Sequence, residues 1–354
     1  MEPDYSMRQN NNQRSLDDES VSEVGIKDIK INVTPLNPVV FYPCFQHIAE
    51  KIFDQLDKES LRSCREVSKL WLDSIDNQNL LWNELLKNKD GNKAFQLACK
   101  NGHSKILGML FRKSDEFNID FNAKGSFKET AFHVACRNGH TKIAEMIIKK
   151  SADFGIDLNA KNMRGRTALY IACQNDNFKI AEMMINKSVD FDIDLNAKCK
   201  WGKTAFHLAC INGCLNLVEM LIQKSAESKI DLNAKNNFGL TGLHYSCSYG
   251  DTMVSEMLIQ KSAEFKISLN IKDNQGETPF HKACDYGNTK LVEYMIDNSE
   301  SLGLDLTLKN INGNTGFHLA QQNQNSNIIN LIERKMPSID ANKLDVTRIQ
   351  TLES

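Results

Sequence analysis

Threonine recurs at Thr130, Thr167, Thr204, Thr241, Thr278 and Thr315, always at a step of 37 residues. The segments it opens are near copies: TAFHVACRNGH, TALYIACQNDN, TAFHLACINGC, TGLHYSCSYGD and TPFHKACDYGN. One step back, KAFQLACKNGH keeps the pattern with Lys93 in the threonine's place. Such a register limits the chain to few folds. Each unit is one supersecondary piece that buries its apolar face only against neighbouring copies, so residues 88–336 form a stacked array of about seven units.

Within a unit, the spacing predicts two helices and a turn. Thr130 is placed to cap a short helix ending at Cys136, its hydroxyl meeting an amide of the first turn. His133 stands three positions on, where a capping box holds a residue that reaches back. Asn138-Gly139 breaks the chain. A second helix follows over about 141–152, with Ile143, Met146 and Ile147 on one face. The stretch IDLNAKNMRGRT then reads as a short extended piece and a Gly-centred turn, the pattern of a β-hairpin finger.

The recurring histidines and cysteines could suggest metal or catalysis. His133, His207, His244, His281 and His318 share one repeat position, but Tyr170 and Gln96 fill it in the other two units. A zinc ligand does not tolerate tyrosine in its place, whereas a capping residue does. Stacked units lie roughly 10 Å apart, too far for successive histidines to share one ion with bonds near 2 Å. Cys99, Cys136, Cys173, Cys210, Cys247 and Cys284 recur in the same way and read as small buried hydrophobes, not as disulfide partners. Cys199 and Cys214 lie off that position and are the better candidates for exposed thiols. No catalytic constellation, phosphate loop, metal site or cofactor motif stands outside the repeat, so no enzyme activity is expected.

Bulk composition agrees with a soluble globular protein. The net charge of −2, 41% apolar and 25% charged content give no footprint for nucleic acid or membrane. The first twenty residues hold no apolar run of a secretory signal, and ten cysteines without one point to a reducing, intracellular compartment, cytoplasmic or nuclear.

The repeat resembles the ankyrin family. The residues that carry the likeness are TAFHVACRNGH at 130–140, DLNAK at 157–161 and TPFHKAC at 278–284. The resemblance implies an all-α solenoid of helix pairs with hairpin fingers. The family's usual unit is about 33 residues. The four extra residues here fall in KKSADFGID, where a longer outer helix or a bulged loop is expected on the convex side. It also implies a concave face, lined by finger tips and inner-helix ends, that binds a protein target. The non-repeating residues there make Phe127, Arg137, Arg164, Trp201, Ile211, Phe238, Tyr249 and Tyr286 the candidate target-binding set. The last unit is polar, as a terminal cap requires.

Ahead of the array, the composition changes twice. Residues 1–37 are polar and read as a disordered tail, and 337–354 as a C-terminal extension. Residues 38–87 carry helical stripes, among them Ile48, Ile52, Phe53 and Leu56. This segment resembles the F-box, through IFDQLD at 52–57, LRSCREVSKLW at 61–71 and LWNELL at 81–86. Cys44 and Phe45 stand where that family usually has Leu-Pro. The resemblance implies a small three-helix domain that docks onto a Skp-type adaptor, with Phe45, Ile48, Ile52, Phe53, Leu56, Leu61, Cys64 and Val67 in the contact or the core beneath it. The expected function is a non-catalytic substrate receptor of a Skp–cullin–F-box ubiquitin ligase. The alternative is an ankyrin scaffold or inhibitor whose N-terminal helices only cap the solenoid.

Overall fold

The inner helices are short because a capping threonine starts all but the first and a turn soon stops each one, as Thr130 and Asn138-Gly139 bracket Ala131–Arg137, with Gly139 at a left-handed φ of 74°. In the computed structural model, residues 91–249 and 252–336 are described, and they contain seven helix pairs. The first pair is Gly91–Asn101 and Ser104–Arg112, the second Ala131–Arg137 and Thr141–Phe154, and the third Ala168–Gln174 and Phe178–Asn186. Ala205–Ile211 with Leu215–Gln223, and Gly242–Tyr249 with Thr252–Gln260, form the fourth and fifth. Pro279–Asp285 with Thr289–Asp297, and Gly316–Gln322 with Ser326–Lys335, complete the array. Inner helices pack on inner helices and outer on outer, each pair touching its sequence neighbours. The F-box-like segment and both tails lie outside the described residues.

One continuous core runs through the stack. Small residues such as Ala135 and Cys136 let inner helices approach closely, and Ile143, Ile147 and Ile148 close the layer from the outer helix; all are buried. Each such isoleucine is worth about 1.5–3 kcal/mol in transfer free energy. Burial pushes the Cys173 and Cys247 thiols up to about 12 and raises the other repeat cysteines as well. They are inert packing groups.

The four extra residues add a helical turn. In the second unit they simply lengthen the outer helix to Phe154; elsewhere they form a separate short turn such as Ser262–Phe265 or Ser299–Leu302. The same closure ends each turn. Asn118, Gly155, Asp192, Lys229, Lys266 and Gly303 take left-handed φ between 46° and 63°. The next amide then bonds back five residues, as Ile156 N–H does to the Ser151 carbonyl at 2.9 Å. That is a Schellman cap, sealed by the buried Ile156.

An asparagine clamps each of the last five caps to the preceding unit. Asn159 donates to the Asp192 carbonyl at 2.7 Å and accepts from the Asp194 amide at 2.8 Å. Asn122, Asn196, Asn233 and Asn270 repeat both bonds.

The predicted capping pair is present in five units. His207 Nε2 lies 3.0 Å from the Leu240 carbonyl, which only accepts, so Nε2 carries the proton and Nδ1 is left as an acceptor. Nδ1 takes the Thr204 amide at 3.1 Å and the Thr204 hydroxyl at 2.9 Å. His133, His244 and His281 do the same, each reaching a carbonyl of the following finger. His318, in the last unit, keeps only the bonds to Thr315. The histidine therefore caps its own helix and ties it to the next unit, with both ring nitrogens committed. Among the described residues, no three His, Cys, Asp or Glu side chains group as a metal site.

Two expectations need adjustment. The fingers are hairpin turns closed by a pair of short-range backbone bonds, as from Asn162 N–H to the Arg166 carbonyl and from Gly165 N–H to the Asn162 carbonyl, and this is too short a pairing to count as strand. Cys199 is not an exposed thiol. It is 5% exposed, because it takes the place that Asn162, Asn236, Asp273 and Asn310 hold at the root of the other fingers. Cys214 is half-buried. Brief alkylation of the native chain is expected to modify Cys214 ahead of Cys199 and the six repeat cysteines, as read by peptide mass mapping. Equal labelling of Cys199 and Cys214 would contradict the burial described here.

Candidate protein-binding site

Four of the six described fingers are built around a polar root side chain, while Gly125 and Cys199 hold that place in the other two. Asn162 Oδ1 accepts from the amides of Arg164 and Arg166 at 2.9 and 3.0 Å, and Asn236, Asp273 and Asn310 do likewise two and four residues on. These bonds hold the turn rigid. Each tip is also tied to the next by one backbone bond: Met163 to Phe127, Lys200 to Arg164, Asn237 to Trp201, Asn274 to Phe238 and Ile311 to Gln275, all at 2.8–3.0 Å. The tips therefore form one continuous edge, and side chains at 127, 164, 201 and 238 sit at equivalent places along it.

That edge exposes large side chains that the fold does not bury. Phe127 is 66% exposed, Trp201 40% and Phe238 49%. On the neighbouring helix ends, Tyr249 is 59% and Tyr286 62% exposed. Arg164 is exposed as well. Two other candidates are engaged within the fold. Arg137 forms an ion pair with the buried Glu129, which Asn162 also contacts at 3.1 Å. Ile211 is half-buried against the core. The candidates form no single cleft; they lie along the tips and inner-helix ends of five successive units.

Spacing alone missed two residues beside the tips. Arg166 and Lys203 sit on the stems, where the repeat frame was taken as structural. The signal was present in the repeat: position 166 is Glu, Arg, Lys, Leu, Glu and Asn in successive units, as variable as the tips themselves. The adaptor candidates Phe45, Ile48, Ile52, Phe53, Leu56, Leu61, Cys64 and Val67 lie outside the described residues.

Known proteins match this arrangement. The family model described as ankyrin repeats (3 copies) matches residues 69–162, 152–235, 226–310 and 263–345. The F-box domain model matches residues 46–83. A crystal structure of the ankyrin repeat domain of Bcl-3, described as a unique member of the IkappaB protein family, superposes with a TM-score of 0.56. It covers 67% of this chain and 97% of its own at 19% identity, a likeness of fold. No curated protein sequence matches the chain. Both matched families are interaction modules, and no enzyme family is among the matches. Among the described residues, no helix is long and apolar enough to cross a membrane. The chain belongs to the ankyrin-repeat family and carries an F-box domain near its N-terminus.

Proposed function

We propose that this chain is a substrate receptor of a Skp–cullin–F-box type ubiquitin ligase, acting inside the cell. The F-box at 46–83 holds the Skp-type adaptor, and the face of finger tips and inner-helix ends holds the protein to be ubiquitylated. The chain performs no chemistry. It raises the effective concentration of the target's lysines near the ligase. The observation that carries this reading is the pairing, in one polypeptide, of an F-box match with a rigid array that leaves Trp201 and Phe238 exposed on adjacent tips. Tryptophan, tyrosine and arginine anchors dominate protein interfaces, at about 2 kcal/mol or more each.

The experiment is a double substitution. Trp201→Ala with Phe238→Ala is expected to lose recovery of ankyrin-bound proteins by more than about tenfold. Adaptor recovery and the thermal midpoint should remain unchanged. Unaltered recovery of every partner would sink the assignment of this face. A second reading, an ankyrin scaffold or inhibitor with no ligase link, is favoured by one observation: Cys44 and Phe45 replace the usual Leu-Pro at the adaptor end of the F-box. It predicts that the full chain recovers neither adaptor nor cullin.

A further inference from the structure

The tips of the third and fourth units carry an excess of positive charge that the fold leaves unanswered. Arg166 stands at its centre. Its guanidinium lies 5.4 Å from the Tyr170 ring centroid and 5.3 Å from that of Trp201, held between the two. Of its five N–H donors, only one on Nη1 is engaged, to Gln174 Oε1 at 2.7 Å. Its Nε is sealed from solvent and has no hydrogen-bond partner. A guanidinium so fixed by packing and one amide is pre-organised, and its remaining Nη donors are open to an acceptor from outside, for which a carboxylate is the best match in charge and shape.

Its surroundings have the same sign. Arg164, Lys200 and Lys203 flank it, and none of the four cations forms an ion pair among the described residues. Lys203 is instead placed 4.8 Å from the Tyr245 ring centroid. Acids at the stem and root positions of other fingers are already used. Glu129 is taken by Arg137, and Asp273 and Glu277 by Lys282. The whole chain has a net charge of −2, so this patch is a local device and not a general basicity.

We propose that Arg166 is the anchor for a carboxylate on an acidic peptide segment of the bound target, which lays apolar side chains on Trp201 and Phe238. This rests on the reading of the finger-tip face as the target site, and adds the chemistry of what enters it. A carboxylate entering beside the Trp201 indole offers two acceptor oxygens to the open edge of the guanidinium, the two-pronged geometry that arginine favours. Lys203, Arg164 and Lys200 extend the attraction to neighbouring acidic residues and steer the approach.

The test is selection of a random twelve-residue peptide library on the full-length chain, followed by affinity measurement with the selected peptides. The expected result is enrichment of Asp and Glu together with apolar or aromatic residues, and affinity that weakens as salt is raised. Arg166→Gln should weaken the selected peptides at least tenfold, and Arg166→Lys, which keeps the charge without the fork, by less. Both variants should keep the parent thermal midpoint, since the backbone carbonyl of Arg166 still meets His133. Acidic peptides that bind Arg166→Gln unchanged overturn the proposal. So does selection of neutral or basic peptides, a phosphoserine peptide that outbinds its glutamate form more than tenfold, or no enrichment at all. Peptides that require Trp201 and Phe238 but ignore Arg166 overturn only the carboxylate anchor and leave the face standing. Peptides indifferent to all three substitutions refute the face itself.

Discussion

The Gly239→Ala chain is expected to lose more than about 3 kcal/mol of stability, while Gly303→Ala loses only about 1. Both glycines have positive φ, at 78° and 63°. An alanine at either position carries the left-handed penalty. Their surroundings differ. A Cβ on Gly303 meets nothing within 4 Å, and the equivalent places in other units already hold Asn118, Asp192, Lys229 and Lys266. A Cβ on Gly239 would lie 2.6 Å from the Asn274 amide nitrogen and 2.9 Å from the Asp273 carbonyl carbon. Backbone at that distance has to move, and the Asn274 amide is the donor that ties this tip to Phe238. In a linear array, stability is a sum of units and nearest-neighbour interfaces, so damage at one interface uncouples the two sides. Urea unfolding followed by circular dichroism should show an earlier and broader transition for Gly239→Ala. Equal midpoints for the two variants would mean that contact between fingers contributes little coupling.

Acid should destabilise the array through its capping histidines. Burial first of all lowers His207 and His244 from an ordinary 6.5 to about 4, and lowers His133 and His281 in the same direction. Below pH 6.5 the unfolded chain binds protons that the folded histidines refuse, so their contribution is constant above that pH and stability falls as pH drops from 6.5 towards 4. At pH 5 the loss is about 2 kcal/mol for each of His207 and His244. A proton on Nδ1 would also face the Thr204 amide, turning an accepted bond into a repulsion. The measurement is the denaturant midpoint from pH 8 to pH 4.5 for the parent and for His207→Gln with His244→Gln. Unit one already uses Gln96 at this position, donating to the Ala123 carbonyl at 3.4 Å. The glutamine chain should show a visibly shallower slope between pH 6.5 and 5. An identical slope would place the acid sensitivity elsewhere.

The frame of this molecule was legible because it repeats. A threonine, a histidine three residues on, small residues at the helix end and Asn-Gly after it each answer a local need, and 37-fold spacing shows which needs recur. What connects the units was harder to read. Asn159 falls in the stretch read as a short extended piece, but its amide spans two units and fastens the cap of the following outer helix. Glycine is a poor residue with which to open a helix, yet Gly242 opens one because the Phe206 ring and Cys210 Sγ of the previous unit lie within 3 Å of where a Cβ would sit. Cys199 looked exposed by its position off the cysteine column, yet it substitutes for a buried turn residue. The Asn159 bonds reach 33 and 35 residues along the chain, and no local pattern encodes them. For the binding face, the tips were found by their failure to repeat. Arg166 was missed since its neighbours on the stem, such as Thr167, belong to the conserved frame within the chain.

The most direct measurement for the account as a whole is affinity capture of the full-length chain from cells, with mass spectrometry, beside a Leu61→Asp, Val67→Asp chain. The account predicts a Skp-type adaptor and a cullin with the parent, their loss from the F-box variant, and a shared set of further proteins retained by both through the ankyrin face. A parent chain that recovers no adaptor and no cullin, while a control F-box protein in the same lysate recovers both, would contradict it.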